Sequence, residues 1–374
     1  MKHSKIGILG GGQLGLMMQQ ACSDWHIEPL FLDPDPEAAT IPFGKVVQGS
    51  FRDYETVLAF GADKDLISYE IEDVNLEAIK ELEKQGKNVF PQPHVLEIIK
   101  NKWRQKLFFK DNGFPTSDFC RFEASDPETF EDFLPAFWKQ EEGGYDGKGV
   151  VPVNAQMDLE ALPLAKGFLE KAVTINKELA VIIARNMDGE VTTFPTVEMV
   201  FHPEANLVEY LQCPAQILAE TDQKCQEIAF QLIEKLGMIG LLAVEFFVSL
   251  EGEVLINEIA PRPHNSGHHT IEANLTSQFN QFWRSILNIP LGNTRQIHPF
   301  SAMINLIGEI GYAGIPVYQG LETCLSQSGV FVHIYGKSQT RPYRKMGHAT
   351  VVADSLAELQ QKVSFVKNHL KVIA

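Results

Sequence analysis

Three consecutive glycines decide how this chain begins. Lys5–Leu9 is a short apolar run that reads as a buried strand. Gly10-Gly11-Gly12 breaks it, and Gln13–Asp24 reads as a helix. A second strand, Pro29–Leu32, ends at Asp33. After a helical stretch at Tyr54–Phe60 comes another strand at Asp65–Tyr69. Strands alternating with helices predict a parallel α/β sheet, which closes near Phe90-Pro91.

A chain of 374 residues exceeds one ordinary core, so further domains must follow. A helix is predicted from His94 to Asn112, stopped by Asn112-Gly113 and flanked by short strands at Val89–Phe90 and Phe137–Lys139. The glycine-rich segment Gly143–Gly149 sits inside this small α+β region. Beyond Gly167 the pattern turns strand-rich, with Leu179–Ala184, Val191–Val197, Leu241–Ser249 and Glu253–Ile256. One amphipathic helix interrupts it at Thr221–Leu236. Its Ile228, Leu232 and Leu236 recur four apart, and Gly237 stops it. From Phe300 short strands and turns alternate, ending in a helix at Leu356–His369.

A net charge of −16 repels phosphate backbones and disfavours a nucleic-acid partner, while leaving room for local basic pockets. Cys22, Cys120, Cys213, Cys225 and Cys324 are scattered and form no C-x-x-C pair, which fits a reducing cytoplasm and neither a disulfide framework nor a zinc site. The sequence predicts no secretory leader and no membrane span.

The chemistry-bearing residues cluster. Gly10-x-Gly12-x-x-Gly15, with Asp33 ending the next strand, matches a dinucleotide-binding turn, as in an NAD-dependent oxidoreductase. Any tight strand-to-helix turn selects glycine, so a packing turn is the plain alternative. Either way, the helix N-terminus is expected to offer free N–H groups to an anion. Gly143-Gly144-Tyr145-Asp146-Gly147-Lys148-Gly149 can fold over phosphates, although it is not a Walker A loop. Lys139 precedes it on a strand. Glu245 interrupts the apolar run Ala243–Phe247, and Glu258 interrupts Ile256–Ile259. Around the turn Glu251-Gly252 these read as antiparallel neighbours with inward carboxylates, a pairing that suits Mg²⁺ or a buried salt bridge. Two basic loops follow, Arg262-Pro263-His264-Asn265-Ser266-Gly267-His268-His269 and Arg341–His348, and Arg262 and Lys345 are expected to converge on one anion pocket.

Together, Gly10–Gly15 with Gln13-Leu14, Gly143–Gly149, Asn257–His268 and Arg344–His348 resemble the carboxyaminoimidazole ribonucleotide synthases, ATP-grasp ligases of purine biosynthesis. The resemblance runs in order over nearly the whole chain. It implies an N-terminal pre-ATP-grasp domain at 1–92, a small lid domain at 93–168, a large ATP-grasp domain at 169–299 and a C-terminal extension at 300–374. It implies ATP-dependent phosphorylation of bicarbonate to carboxyphosphate and transfer of the carboxyl group, released as CO₂, to aminoimidazole ribonucleotide. Two Mg²⁺ ions, ATP as co-substrate and a homodimer are implied as well.

Carried over by position, Lys102, Lys139, Gly144, Gly147 and Gly149 resemble nucleotide-phosphate contacts. Glu170-Lys171-Ala172-Val173 resembles the adenine hinge, and Glu178 the ribose-binding acid. Glu245 and Glu258 resemble the Mg²⁺ ligands, with Asn257 beside them. Tyr145, Asp146, Lys148, Arg262, His264 and Lys345 resemble the catalytic set. Gly12, Gln13, Leu14, Glu72, Asn265, Ser266 and Arg344 resemble substrate contacts. The pattern departs at Phe201, where many members carry a histidine after the acid matching Glu198; here His202 follows instead. The alternatives are a formate-using glycinamide ribonucleotide transformylase of the same superfamily, an NAD-dependent oxidoreductase, and a non-enzymatic nucleotide-binding protein. Retention of Glu245 and Glu258 argues against the last.

Overall fold

A computed structural model describes residues 5–122, 130, 132–143, 149–201 and 208–374. The N-terminal strands β1 (Ile6–Leu9), β2 (Leu30–Asp33), β3 (Lys45–Gln48), β4 (Leu66–Tyr69) and β5 (Asn88–Val89) form a parallel sheet in the order β3-β2-β1-β4-β5. Helices α1 (Gln13–Cys22), α2 (Tyr54–Gly61) and α3 (Leu76–Lys84) cover it. Asp53 and Asn75 start the latter two by accepting the N–H groups of Thr56 and Ala78. The helix expected over Gln13–Asp24 ends at Cys22 and finishes as a single 3₁₀ turn, Ser23–Trp25.

The helix expected over His94–Asn112 is two helices, α4 (Pro93–Ile99) and α5 (Lys102–Asp111). Apolar periodicity runs through the break and hides it. The break comes from Asn101, whose extended backbone and side-chain acceptor for Arg104 N–H (2.9 Å) restart the helix. Next comes a small antiparallel sheet of β6 (Phe119–Arg121), β7 (Ala136–Gln140), β8 (Val150–Val153) and, after the short helix α6 (Gln156–Leu159), β9 (Gly167–Lys171), in the order β6-β9-β7-β8.

The third sheet has nine strands among the described residues. β10 (Ile175–Arg185) pairs with β11 (Val191–Thr193) and β12 (Val197–Phe201). The single strand expected at Val191–Val197 is therefore divided, because Pro195 cannot donate to a central ladder. β13 (Val208–Cys213), helix α7 (Ala219–Leu236), β14 (Gly240–Ser249) and β15 (Val254–Ala260) follow, and Gly237 ends α7 at φ 57°. Beyond α8 (Thr270–Ala273) and α9 (Gln278–Ile286), β16 (Phe300–Ile307) continues the same sheet by pairing with β13. β17 (Val317–Gln319), α10 (Leu321–Leu325), β18 (Val330–Ile334), β19 (Lys345–Ala353), α11 (Leu356–His369) and β20 (Lys371–Ile373) complete the chain. The sheet runs β15-β14-β10-β12-β13-β16-β19-β18, with β11 attached to β10.

Strand alternation gives this sheet two different faces. Leu179, Val181 and Ile183 of β10 and Leu242, Val244 and Phe246 of β14 pack with Ile228, Leu232 and Leu236 of α7. On the opposite face, Ile182, Ala184, Leu241 and Ala243 join Met17, Met18 and Phe31 of the N-terminal unit and Phe282 and Trp283 of α9. The Trp283 indole N–H donates to the Met18 carbonyl at 2.8 Å and fastens that contact. Further along this second face the apolar residues give way to acids, and the candidate site begins there. Among the described residues, no helix is long and apolar enough to cross a membrane.

Candidate active site

Register places the acids. Glu178 lies two positions before Ala180, so both point to one face. Ala180 pairs with Glu245, and Glu245 pairs with Glu258. Three carboxylates from three adjacent strands thus share a face. A bulge between Glu245 and Phe246 leaves Asn257 as an extra residue on β15. Its amide reaches Glu245 Oε2 at 3.5 Å, and its carbonyl oxygen meets Lys139 Nζ at 3.4 Å.

Burial and neighbouring charges separate the titration of these acids. Burial and the charges of Glu258 and Glu178 push the Glu245 carboxyl up. Lys102, whose ammonium lies 2.5 Å from Glu258 Oε2, holds the Glu258 carboxyl down. Burial raises Glu178 to about 7, against the opposing charge of Lys139. His264 Nε2 is 3.3 Å from Glu245 Oε1, and its Nδ1 contacts the Ser266 hydroxyl at 2.9 Å.

Helix α5 supplies the cations. Gln105 Oε1 accepts the Ile259 N–H at 3.3 Å, which lays α5 along β15. Lys102 N–H donates to the Glu141 carbonyl at 2.7 Å, tying the start of α5 to the base of the glycine loop. That loop joins β7 to β8. Gly143 (φ 81°) and Gly149 (φ 78°) flank it in left-handed conformations, and Gln140 N–H bonds the Gly149 carbonyl at 2.8 Å. Gly144, Tyr145, Asp146, Gly147 and Lys148 lie outside the described residues, as does His202.

Other site residues predicted from the sequence divide. Lys171 and Ala172 give their N–H groups to the Asp118 and Pro135 carbonyls at 2.8 and 2.9 Å, while the Val173 N–H makes no bond among the described residues. Glu170 points its side chain inward, where its oxygens lie 2.9 Å from Lys106 and 2.9 Å from Lys139. Ser117 also hydrogen-bonds it. Glu170 falls to about 2 because the two ammonium groups outweigh its burial, and burial lowers Lys106 to about 8. Arg262 Nε pairs with Glu72 Oε1 at 2.8 Å. Ser266 is buried with its hydroxyl against His264, while Asn265 Oδ1 is buried without a hydrogen-bond partner among the described residues. Arg344 gives one guanidinium N–H to the Gln339 carbonyl at 2.7 Å.

Half-buried Lys345 starts β19. Its charge, after burial and His264, helps keep His268 well below the usual histidine range. His268 lies 4.9 Å, ring to ring, from His348, which stacks on His333 at 4.4 Å. The loop after β15 and the strand bearing Lys345 are therefore joined through buried imidazoles.

The N-terminal turn has three of its N–H groups engaged, while the Gln13 and Leu14 N–H groups at the helix start have no hydrogen-bond partner among the described residues. Gly11 N–H donates to Asp33 Oδ2 at 2.6 Å, and Gly12 and Gly15 N–H donate to Glu70 at 2.7 and 2.5 Å. The chain's own carboxylates occupy these donors. Asp33, already bonded to Gly11 and Asp35, is not free for a cofactor ribose, which removes the basis of the NAD reading. Gln13 Oε1 accepts from Lys337 Nζ at 3.1 Å, and Leu14 is half-buried against the shared core.

The sequence reading missed Lys106 and Glu70. Lys106 recurs four residues after Lys102 and looks like a second surface lysine; Glu70 merely follows an apolar strand.

A glycine-bounded hairpin whose Lys139 reaches a sheet of grouped carboxylates, with Lys102 beside them, is the arrangement of an ATP-grasp ligase. Comparison with known families agrees. An ATP-grasp domain model matches residues 107–279, a ribonucleotide synthetase preATP-grasp domain model matches 1–100, and a phosphoribosylaminoimidazole carboxylase C-terminal domain model matches 301–362. The N5-carboxyaminoimidazole ribonucleotide synthase of Bacillus subtilis is 33% identical, covering 96% of this chain and 94% of its own. The chloroplastic phosphoribosylaminoimidazole carboxylase of Vigna aconitifolia is 34% identical over 96% of this chain, which spans 66% of that longer protein. The Thermotoga maritima N5-carboxyaminoimidazole ribonucleotide synthetase structure superposes with a TM-score of 0.92 at 38% identity, covering 99% of both chains. An Aspergillus clavatus N5-carboxyaminoimidazole synthase solved with ADP and 5-aminoimidazole ribonucleotide gives 0.88 at 30% identity, covering 98% of each. The chain belongs to the N5-carboxyaminoimidazole ribonucleotide synthase family.

Proposed function

We propose that this protein carboxylates 5-aminoimidazole ribonucleotide with bicarbonate at the expense of ATP. The single observation that carries the reading is the Glu178–Glu245–Glu258 face with Lys102 and Lys139 beside it. The donor set fits Mg²⁺. Burial and, after it, the charges of Glu258 and Glu178 push the Glu245 carboxyl up, a penalty that a divalent cation relieves. Among the described residues no three His, Cys, Asp or Glu side chains group as a complete metal cage. That suits an ion held by two carboxylates, Glu245 and Glu258, and by phosphate oxygens. When bound, Mg²⁺ supplies charge stabilisation at the transferring phosphoryl group; we assign two ions.

In this reading Lys139 and Lys102 neutralise charge on the phosphates, Glu178 accepts the ribose hydroxyls and the Val173 N–H meets the adenine. The terminal phosphoryl group passes to a bicarbonate oxygen, giving carboxyphosphate and ADP. Carboxyphosphate breaks to CO₂ and phosphate, and the exocyclic amine of the ribonucleotide attacks the carbon and loses a proton. Arg262, held by Glu72, and His264, held by Ser266, face this chemistry with Lys345. Tyr145, Asp146 and Lys148 belong to the loop that shields the labile intermediate from water. The boundaries 1–92, 93–168, 169–299 and 300–374, a cytoplasmic homodimer and bicarbonate as co-substrate belong to the same proposal.

Phosphate release from ATP is the test. It should require Mg²⁺ and bicarbonate and rise strongly with 5-aminoimidazole ribonucleotide. Equal stimulation by glycinamide ribonucleotide with formate would replace this reading with the transformylase.

A further inference from the structure

Lys106 is almost completely buried, with 3% of its side chain exposed. Its ammonium has three partners, Thr116 Oγ1 at 2.6 Å, Ser117 Oγ at 3.0 Å and Glu170 Oε1 at 2.9 Å. No donor remains for a ligand, so Lys106 is not itself a phosphate contact. Thr116 in turn donates to the Ile256 carbonyl at 2.9 Å, one residue before Asn257 on the acidic strand. Glu170 is equally buried, and its other oxygen holds Lys139 at 2.9 Å.

This triad poses an electrostatic problem. Lys139 is the one member assigned to the nucleotide, and to reach a phosphate it must loosen its grip on Glu170. A buried carboxylate left without a cation is strongly destabilised. Lys106 solves the problem because it stays behind.

We propose that Lys106 is a positioning residue, the resident counter-ion of Glu170 that releases Lys139 to the phosphates of ATP. The inference rests on the reading that Lys139 engages ATP. Without Lys106, Glu170 keeps the Ser117 hydroxyl but has Lys139 as its one ion-pair partner among the described residues, and retains it. Lys139 then contributes little to nucleotide binding although it is still present.

The experiment measures the cost of Lys139→Met on three backgrounds, by calorimetric titration with the β,γ-imido analogue of ATP and Mg²⁺. On the wild-type background the substitution should weaken binding at least ~10-fold, as expected for loss of a charged phosphate contact. On Lys106→Met the same change should cost less than ~3-fold, because Lys139 is already held away. On Lys106→Met/Glu170→Gln, where no buried charge holds Lys139, the ~10-fold cost should return. A purely structural role for Lys106 moves the melting temperature but leaves the Lys139 penalty equal on all backgrounds, and that equality would overturn the proposal. Should Lys106→Met not fold, Lys106→Gln takes its place with the same expected loss of the Lys139 penalty, and a penalty below ~3-fold in the double variant would overturn the proposal in any case. No Lys139 penalty even in the wild type would instead remove the assignment of Lys139 to ATP, and this inference with it.

Discussion

Two sets of carboxylates gather in this molecule, one at the ends of N-terminal strands and one within the large sheet, and they are handled in different ways. At the N-terminal turn, Asp33 and Glu70 take up the N–H groups of Gly11, Gly12 and Gly15. Burial raises Glu70, with the Gly15 and Gly12 N–H bonds pulling back. On the large sheet, Glu178, Glu245 and Glu258 face one another with Lys102 as the nearest compensation. The turn carries a recognisable nucleotide motif, yet its three glycine N–H groups are met by the chain's own acids; the acid face carries Glu258 of the Asn257–His268 motif, and its carboxylates face one another. A glycine pattern reports backbone shape, whereas unbalanced buried charge reports a missing ligand.

The comparison breaks most visibly at Glu258. Glu258→Gln keeps the shape and removes one charge from the proposed Mg²⁺ site. Turnover should fall at least ~100-fold, about 3 kcal/mol of transition-state stabilisation, with the circular dichroism spectrum unchanged. Near-normal turnover at saturating Mg²⁺ would mean that the acid face, like the turn glycines, is already served by the chain's own groups.

Glu70→Gln probes the other side. An amide has one acceptor oxygen where the carboxylate used two, so one of the Gly12 and Gly15 N–H groups loses its partner. An unsatisfied buried donor costs about 1–3 kcal/mol, so the melting transition should drop by several degrees. Turnover per folded molecule should suffer far less than in Glu258→Gln. Unchanged melting with a large loss of ribonucleotide affinity would show that this carboxylate serves substrate.

Glu178 allows the acid face to be read by pH. Its folded value of about 7 lies above the ordinary 4.5, because burial penalises the charge. The sign follows directly. The unfolded chain ionises first, so this residue costs the ligand-free fold stability as pH rises from 4.5 through 7. Binding of ribose hydroxyls needs the ionised form, so ATP affinity should gain up to about tenfold between pH 6 and 8. The gain attributable to this group should vanish in Glu178→Gln; an identical profile in the variant would remove Glu178 from the ribose site.

Much of the acid face was legible because an acid inside an apolar strand is costly and therefore conspicuous. The spacing of Glu245 and Glu258 about Glu251-Gly252 predicted their pairing, which the register shows directly. The engagement of the turn's glycine N–H groups was not legible, since Glu70 lies 55 residues beyond Gly15. Nor was the Lys106–Glu170 pair, 64 residues apart, or the stack that brings His333 and His348 to His268. Long-range compensation of charge leaves no local periodicity. The same limit hid the break between α4 and α5, where one asparagine side chain overrides a continuous apolar pattern.

The smallest effect is expected where the family pattern departs. Phe201 shares the alternation of Val197 and Met199, and Met199 pairs with Glu178, so Phe201 lies on the acid-bearing face. It packs there with Val208 against the cluster that holds Val197 and Met199, an apolar neighbourhood among the described residues. Glu198 pairs with Leu179 and points to the other face, where Lys177 at 2.6 Å and the Gln216 N–H at 3.2 Å satisfy it. This corner thus resembles the N-terminal turn more than the acid face. Among the described residues, nothing packed on Phe201 calls for the histidine that the family resemblance leads one to expect there. His202→Ala should therefore change the KM for ATP by less than ~3-fold, below about 0.7 kcal/mol. A rise of more than ~10-fold, with the KM values of bicarbonate and ribonucleotide unchanged, would show that His202 has taken over a nucleotide contact and that the nucleotide site extends past Phe201.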